Sequence, residues 1–308
     1  MQKRVYVERF FDILAMASGE PRPWRIPAGE TLRVGFSWKA KAEYAFFYLA
    51  KSRGFYSGEK LEVVFCEGTG SPAALDALHR GELDILILPC TFALTAIEGG
   101  APIKIVSLYQ AAAPVCLISR SQCPVVLPKQ LEGKRVAKLS GETGTAFLAR
   151  FCEDNQVNYD RINFVDVSPV DKIGSFLRGD VDVVSVYRTN ELHVLESMAN
   201  FPLTELDVAA FGLHLPGMCA VASDATIGAM AELVDRFLSA TRKAIFAGLE
   251  ERSALINVAR QMPGAHPDAG IVAAQIRELV ATINCLEGSS VNVLAAAHEP
   301  LSGWEAAN

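Results

Sequence analysis

The chain has 308 residues, half of them hydrophobic and 21% charged, with a formal net charge of −6. That composition fits a globular protein with one large or two medium domains, and the negative balance, with no basic stripe, excludes a nucleic-acid-binding face. The longest run without a charged residue is the 16 residues from Val208 to Ser223; Gly212, His214 and Pro216 interrupt it, and a span needs roughly 20 apolar residues, so no membrane insertion is expected.

The N-terminus, "MQKRVYVERFFDILAMASGEPRPW", starts basic and carries small residues near position 18, but Glu8 and Asp12 break its apolar stretch. A secretory core needs about 7–15 uninterrupted apolar residues, so residues 1–30 read as an extension holding an amphipathic helix. From residue 31 strand-length apolar runs alternate with helical patterns. "TLRVGFSW" (31–38) is a strand and "KAEYAFFYLAKSRGFY" (41–56) a helix stopped at Gly54. There follow "LEVVFCEG" (strand), "SPAALDALHRG" (helix), "DILILP" (strand), "TFALTAIEGG" (helix) and "IKIVSLY" (strand). After Gln110 the alternation restarts. "VCLISR", "GKRVAKL", "INFVDVS" and "VDVVSVY" read as strands, and "GTAFLARFCEDNQV", "VDKIGSFLRG" and "ELHVLESM" as helices. The chain then returns through "LTELDVAAFG" and "MCAVAS" into long helical segments with apolar residues at 3–4 spacing.

This pattern predicts an α/β protein with mostly parallel sheets. One lobe comprises 31–110 plus 205–308 and the other 113–202, joined by crossings near 109–114 and 203–212. A near-repeat supports two equivalent lobes: "RGELDILILPC" starts at Arg80 and "RGDVDVVSVY" at Arg178. In each copy a helix ends on Arg, Gly takes the left-handed position after it, an acid turns the corner, and a buried strand begins at Ile85 or Val181. The Arg-Gly-Asp at 178–180 is part of that joint rather than an adhesion signal.

Open α/β sheets bind ligands at the carboxyl ends of their strands, where helix N-termini offer free N–H groups. That rule selects Trp38, Thr69, Ser71 and Thr91 in the first lobe. In the second it selects Glu142, Thr143, Tyr187, Asn190 and Glu191, with Gln110 at the crossing; Tyr44, near the start of the helix that follows Trp38, joins them as an aromatic. Aromatic faces combined with hydroxyls and a few acids suit a flat, polar ligand that stacks and hydrogen-bonds. "GETGT" (141–145) lacks the GKS/T ending of a phosphate loop, and no Arg cluster points to a doubly charged anion.

Seven cysteines, an odd number lying mostly in apolar runs, do not form a disulfide framework, and no Cys/His pair has metal-ligand spacing. There is no G-x-S-x-G and no HExxH. Cys90 at a helix N-terminus and Cys219 near His214 are the weak nucleophile candidates. No cofactor is expected.

The stretches "VGFSWKAKAEYAFFYLAKSRGFY", "GELDILILP", "GAPIKIVSLYQ", "LEGKRVA" and "RGDVDVVSVYRTNE" resemble the NMT1/THI5-like family over about 31–250. The resemblance implies a two-lobed type II periplasmic-binding-protein fold closing about a two-stranded hinge. It also implies a substrate-binding role in an ABC importer with a permease and ATPase as partners, and an extracytoplasmic location. The "W-x(5)-Y-x(4)-LAK-x-x-GFY" pattern is most similar to the pyrimidine and thiamine-precursor branch, in which Trp38 matches the position of a stacking indole. The family's enzyme branch, which builds a pyrimidine from pyridoxal phosphate, would place its cofactor lysine and consumed histidine within "DILILPCTF". Here those positions hold Leu88 and Phe92, and of its cysteine-rich motif only Cys219 remains. A desulfinase with a catalytic Cys shares the fold, but its signature is not visible. The expectation is therefore a binder of a small heteroaromatic solute, held between Trp38 and Tyr187. The alternative is a cytoplasmic enzyme on the same scaffold.

Overall fold

The computed structural model describes residues 30–283, so the N-terminal helix expectation and Cys285 lie outside the described residues. Ten strands form there: β1 (Glu30–Phe36), β2 (Leu61–Glu67), β3 (Ile85–Pro89), β4 (Ile103–Leu108), β5 (Val115–Arg120), β6 (Arg135–Lys138), β7 (Asn163–Asp166), β8 (Val183–Tyr187), β9 (Leu203–Asp207) and β10 (Met218–Ser223). The helices that matter below are α1 (Ala45–Ser52), α2 (Ser71–His79), α3 (Cys90–Glu98), α4 (Leu148–Asp154), α5 (Lys172–Arg178), α6 (His193–Met198), α7 (Asp224–Glu250), α8 (Arg252–Ala259) and α9 (Ala269–Thr282).

The strands make two five-stranded sheets, ordered β2-β1-β3-β10-β4 and β7-β6-β8-β5-β9. The same logic builds both. β1 pairs in parallel with β2 and β3, and β6 with β7 and β8. One strand per sheet is reversed: β10 lies antiparallel to β3 and β4, and β5 to β8 and β9. Each reversed strand is the first one the chain lays down after crossing between lobes. The central strands carry unbroken apolar runs because helices cover both faces: Ile85 to Leu88 and Val183, Val184 and Val186 are all at 0% exposure. α1, α7, α8 and α9 pack on one face of the first sheet around Phe36, Phe47 and Phe237. α2 and α3 cover the other face. Among the described residues no helix is long and apolar enough to cross a membrane.

The repeated segment forms the joint expected of it. Gly81 (φ +71) and Gly179 (φ +83) both adopt the left-handed conformation that side chains disfavour. Glu82 N–H donates to Ala77 O at 3.0 Å and Asp180 N–H to Ser175 O at 2.9 Å, each closing the end of its helix. The aspartate that follows has the same task in both lobes. Asp84 accepts from the Arg33 backbone N–H at 2.7 Å and from its guanidinium at 2.6 Å; Asp182 accepts from Arg135 in the same way at 2.9 and 2.6 Å. A carboxylate thus locks the start of one strand onto the neighbouring strand through backbone and guanidinium together. This shifts one boundary. The second strand begins at Val183, not Val181, because Asp182 is bound to Arg135 through its backbone N–H and its carboxylate, and Val181 before it packs in the core. Arg178 is bound to Asp171 at 2.8 Å and Asp180 at 2.9 Å, so the Arg-Gly-Asp tripeptide is part of the joint.

Two segments cross between the sheets, 109–114 and 208–217. The second lies later than the 203–212 read from sequence, because Leu203–Asp207 pairs with β5 as an edge strand of the second sheet. The crossings run side by side as a two-stranded hinge: Ala113 N–H donates to Leu215 O at 2.8 Å, Gly217 N–H to Gln110 O at 3.1 Å and Tyr109 N–H to Met218 O at 2.8 Å.

Candidate functional site

The carboxyl ends of the parallel strands in both sheets point toward the gap between the lobes, and a cleft of about 430 Å³ lies there. From the first lobe it is lined by the residues after β1 (Ser37, Trp38, Lys41, Glu43), the N-terminal end of α2, and Pro89 and Phe92 around the start of α3. From the second lobe it is lined by 139–143 after β6, Pro169 and Lys172 after β7, and Tyr187, Asn190 and Glu191 after β8. At the mouth the lobes come close. A Cβ placed on Gly141 (φ +76) would stand 3.8 Å from the Pro72 ring on the opposite lobe.

Nine of the eleven residues expected to bind ligand line this cleft. Trp38 is half-buried there, and Tyr187 stands on the opposite lobe. The Tyr187 hydroxyl donates to Thr143 Oγ1 at 2.8 Å, which braces the ring and engages its hydroxyl within the second lobe. Burial pushes that phenol's pKa up. Tyr44 is 1% exposed and stacks on Phe36 at 4.2 Å, forming floor rather than wall. Thr69 is exposed, while Ser71 is buried at the first turn of α2. Glu142, Asn190 and Glu191 complete the group.

The other two residues do not reach the cleft. Thr91 is 2% exposed, tucked into the first turn of α3, and its neighbour Phe92 takes the lining position. Gln110 belongs to the hinge. Its side-chain oxygen accepts from Met218 N–H at 3.3 Å, which commits the amide to holding the two crossings together. The thiol candidates also fall away from the cleft. Cys90 (3% exposed) and Cys219 (0%) lie in the apolar layer behind the sheet with Leu86, Leu88 and Val221. Burial, reinforced by the adjacent Cys90, raises the Cys219 pKa well above an ordinary thiol. A thiol held neutral and out of reach does not serve as a nucleophile.

Sequence reading passed over the most unusual group in the site. Lys172, the first residue of α5, is 1% exposed, and its ammonium donates to Glu142 and, at 2.7 Å, to Glu191. Glu142 precedes the helical turn after β6, Lys172 opens the helix after β7, and Glu191 sits in the turn after β8. One buried ammonium therefore ties together three adjacent strand-to-helix joints. Burial alone would lower its pKa, but Glu191 and Glu142 more than offset this and hold it above the usual lysine range. It is a fixed cation, not a free amine. Glu142 moves upward, because burial outweighs the attraction of Lys172. A sequence signal existed: a lysine in the first turn of a helix opposes the helix dipole and calls for a carboxylate partner.

Glu43 was also missed. It lies in the turn Ala42–Tyr44 that leads into α1, facing the cleft. Burial pushes its carboxyl up to about 7; Lys41 opposes that shift and Glu191, from the other lobe, adds to it. Five charged side chains thus line the cleft, three carboxylates and two ammoniums, with no arginine among them.

A family model described as NMT1/THI5 like matches residues 41–251, more than half of the chain. The riboflavin-binding protein RibY of Chloroflexus aurantiacus is 24% identical over 245 residues, covering 75% of this chain; the chain spans 66% of that relative's length. Among solved structures, the periplasmic aliphatic sulphonate binding protein SsuA of Escherichia coli superposes with a TM-score of 0.69 at 18% identity, covering 81% of this chain and 83% of its own. The alkanesulfonate-binding SsuA of Xanthomonas axonopodis pv. citri, bound to MOPS, gives 0.70 at 18% identity, with 91% and 94% coverage. A Candida albicans protein described as having the generic periplasmic binding protein fold gives 0.64 at 16% identity, with 83% and 81% coverage.

Proposed function

The chain belongs to the NMT1/THI5-like family, and from that premise we propose that it is the substrate-binding component of an ABC importer, holding a small flat heteroaromatic solute in the interlobe cleft. The observation that carries the reading is the cleft itself, with a half-buried indole, Trp38, on one lobe and the braced ring of Tyr187 on the other. A volume of about 430 Å³ lies within the range of small-molecule sites. The importer's permease and ATPase would be its partners.

The charges narrow the ligand class. Lys172, the buried cation of the cleft, is committed to two carboxylates, which leaves only the partly exposed Lys41 among the lining residues to meet a sulfonate or phosphate. Three carboxylates, one of them poised near neutrality, favour a ligand that is neutral or cationic and rich in N–H donors. An amino-substituted, pyrimidine-like ring has that character, and the likeness to a riboflavin-binding relative fits a flat heteroaromatic guest.

A thermal-shift screen of amino-heterocycles followed by calorimetry tests this. Trp38→Ala should weaken binding of a hit by ~1–3 kcal/mol, the worth of an aromatic–base stack. An affinity unchanged in that variant would remove stacking from the account.

A further inference from the structure

The turn that carries Asn190 and Glu191 into the cleft is a single π-helical turn, Arg188–Leu192. Such wide turns are rare and persist where the surroundings hold them. Within the second lobe this one is held by its neighbours: Glu191 accepts from the Tyr187 backbone N–H at 3.1 Å and from Lys172. Arg188 N–H donates to Pro114 O at 2.8 Å and its guanidinium pairs with Glu205, and a further support comes from the other lobe. Gln275, on α9, is 5% exposed, and its side-chain N–H₂ donates to the Asn190 carbonyl at 2.6 Å.

α9 is anchored in the first lobe, where Val272, Ile276 and Leu279 belong to the core beneath β1. Its C-terminal end touches the hinge, since Thr282 O accepts from Ala111 N–H at 3.1 Å. The helix therefore spans from the first-lobe core, past the hinge, to the turn of the second lobe. We propose that Gln275 is a positioning residue for the ligand site: its amide fixes the π turn when the lobes are together and releases it when they part, so that lobe closure and the placement of Asn190 and Glu191 are linked. The proposal rests on reading the cleft as the ligand site. It adds a contact between lobes, outside the two hinge crossings, that sets the shape of the site.

The test uses the full chain without ligand, with Gln275→Leu and Gln275→Met as size-matched variants lacking the donor. Hydrogen exchange at the amides of 188–193 should quicken about five- to tenfold in both, the effect of one lost hydrogen bond on local opening. Exchange in β1 and β3 should change less than at 188–193, and the melting temperature should fall by no more than about 2–4 °C. Unchanged exchange at 188–193 overturns the proposal, and so does a general rise across the first lobe in both variants, which would make Gln275 a packing residue. With a ligand found by the screen, the variants should bind about tenfold more weakly through faster dissociation. If no amino-heterocycle binds the wild type, the functional reading fails, while the exchange measurement still decides the role of Gln275.

Discussion

Replacing Lys172 by methionine removes the one buried cation that holds Glu142 and Glu191 together, and leaves a side chain of similar length. The ammonium is 1% exposed and touches both carboxylates. Deleting one partner of a buried ionic cluster costs about 3–5 kcal/mol, because the other charges stay desolvated and unpaired. The loss should depend on pH in a definite sense. Burial already raises the Glu142 pKa above its unfolded value, and without Lys172 it rises further. A carboxyl whose folded pKa is raised destabilises the fold as pH climbs from the unfolded value through the folded one. The variant should therefore be weakest near pH 8 and recover toward pH 5, where Glu142 takes up a proton; Lys172 itself does not titrate in that window. Urea denaturation at pH 5, 6.5 and 8 measures this, with a deficit of about 3–5 kcal/mol at pH 8 falling to about half or less at pH 5. Adding Glu142→Gln should restore about 1–2 kcal/mol at pH 8 by removing the unpaired charge. A deficit that does not change with pH, or the absence of one, would refute the view that the triad is an electrostatic clasp.

Glu43→Gln should flatten the stability profile between pH 5 and 8. The wild-type carboxyl, raised by burial to about 7, loses its favourable protonated form across that range, at a cost of about 1–2 kcal/mol after screening by cleft water; parallel denaturation of the two proteins is the check. Asp84→Asn should cost about 1.5–3 kcal/mol by weakening charge-assisted bonds to Arg33. Asp182→Asn should cost less, because the Asp182 side chain is 33% exposed against 8% for Asp84. Gly217→Ala should destabilise by about 1–3 kcal/mol, since a Cβ there would stand 2.3 Å from Gln110 Cβ and 2.8 Å from its carbonyl. Its hinge should also scatter X-rays as a wider-open particle.

What the sequence made legible follows from periodicity and punctuation. Ile85 to Leu88 and Val183 to Val186 announced central strands because both faces of a covered sheet must be apolar. Gly81 and Gly179 marked the joints because few other residues accept positive φ. The strand-end rule then located Trp38, Glu142, Tyr187 and Glu191 without any structure. It failed at Thr91 and Gln110, because it locates a chain segment and not the direction of a side chain. Thr91 turns into the core and its neighbour Phe92 faces the cleft, while Gln110 is drawn into the hinge by the Met218 amide. Lys172 and Glu43 were hidden for a related reason. Each lies at the start of a helix whose apolar pattern dominated the reading, and their partners are distant in sequence. Lys172 and Glu142 are 30 positions apart and meet only once β6 and β7 pair. The β9 edge strand was assigned to a crossing because its burial alternates weakly and its pairing with β5 spans more than eighty positions.

The central claim is that the cleft takes a flat donor-rich ring in preference to an anion, its buried cation Lys172 being already paired with Glu142 and Glu191. Calorimetric titration of the protein with an aminopyrimidine and, separately, with an aliphatic sulfonate at pH 7 tests it most directly. Binding of the aminopyrimidine, with no heat from the sulfonate, is the result the account predicts. Tight binding of the sulfonate, with the aminopyrimidine inert, would contradict it.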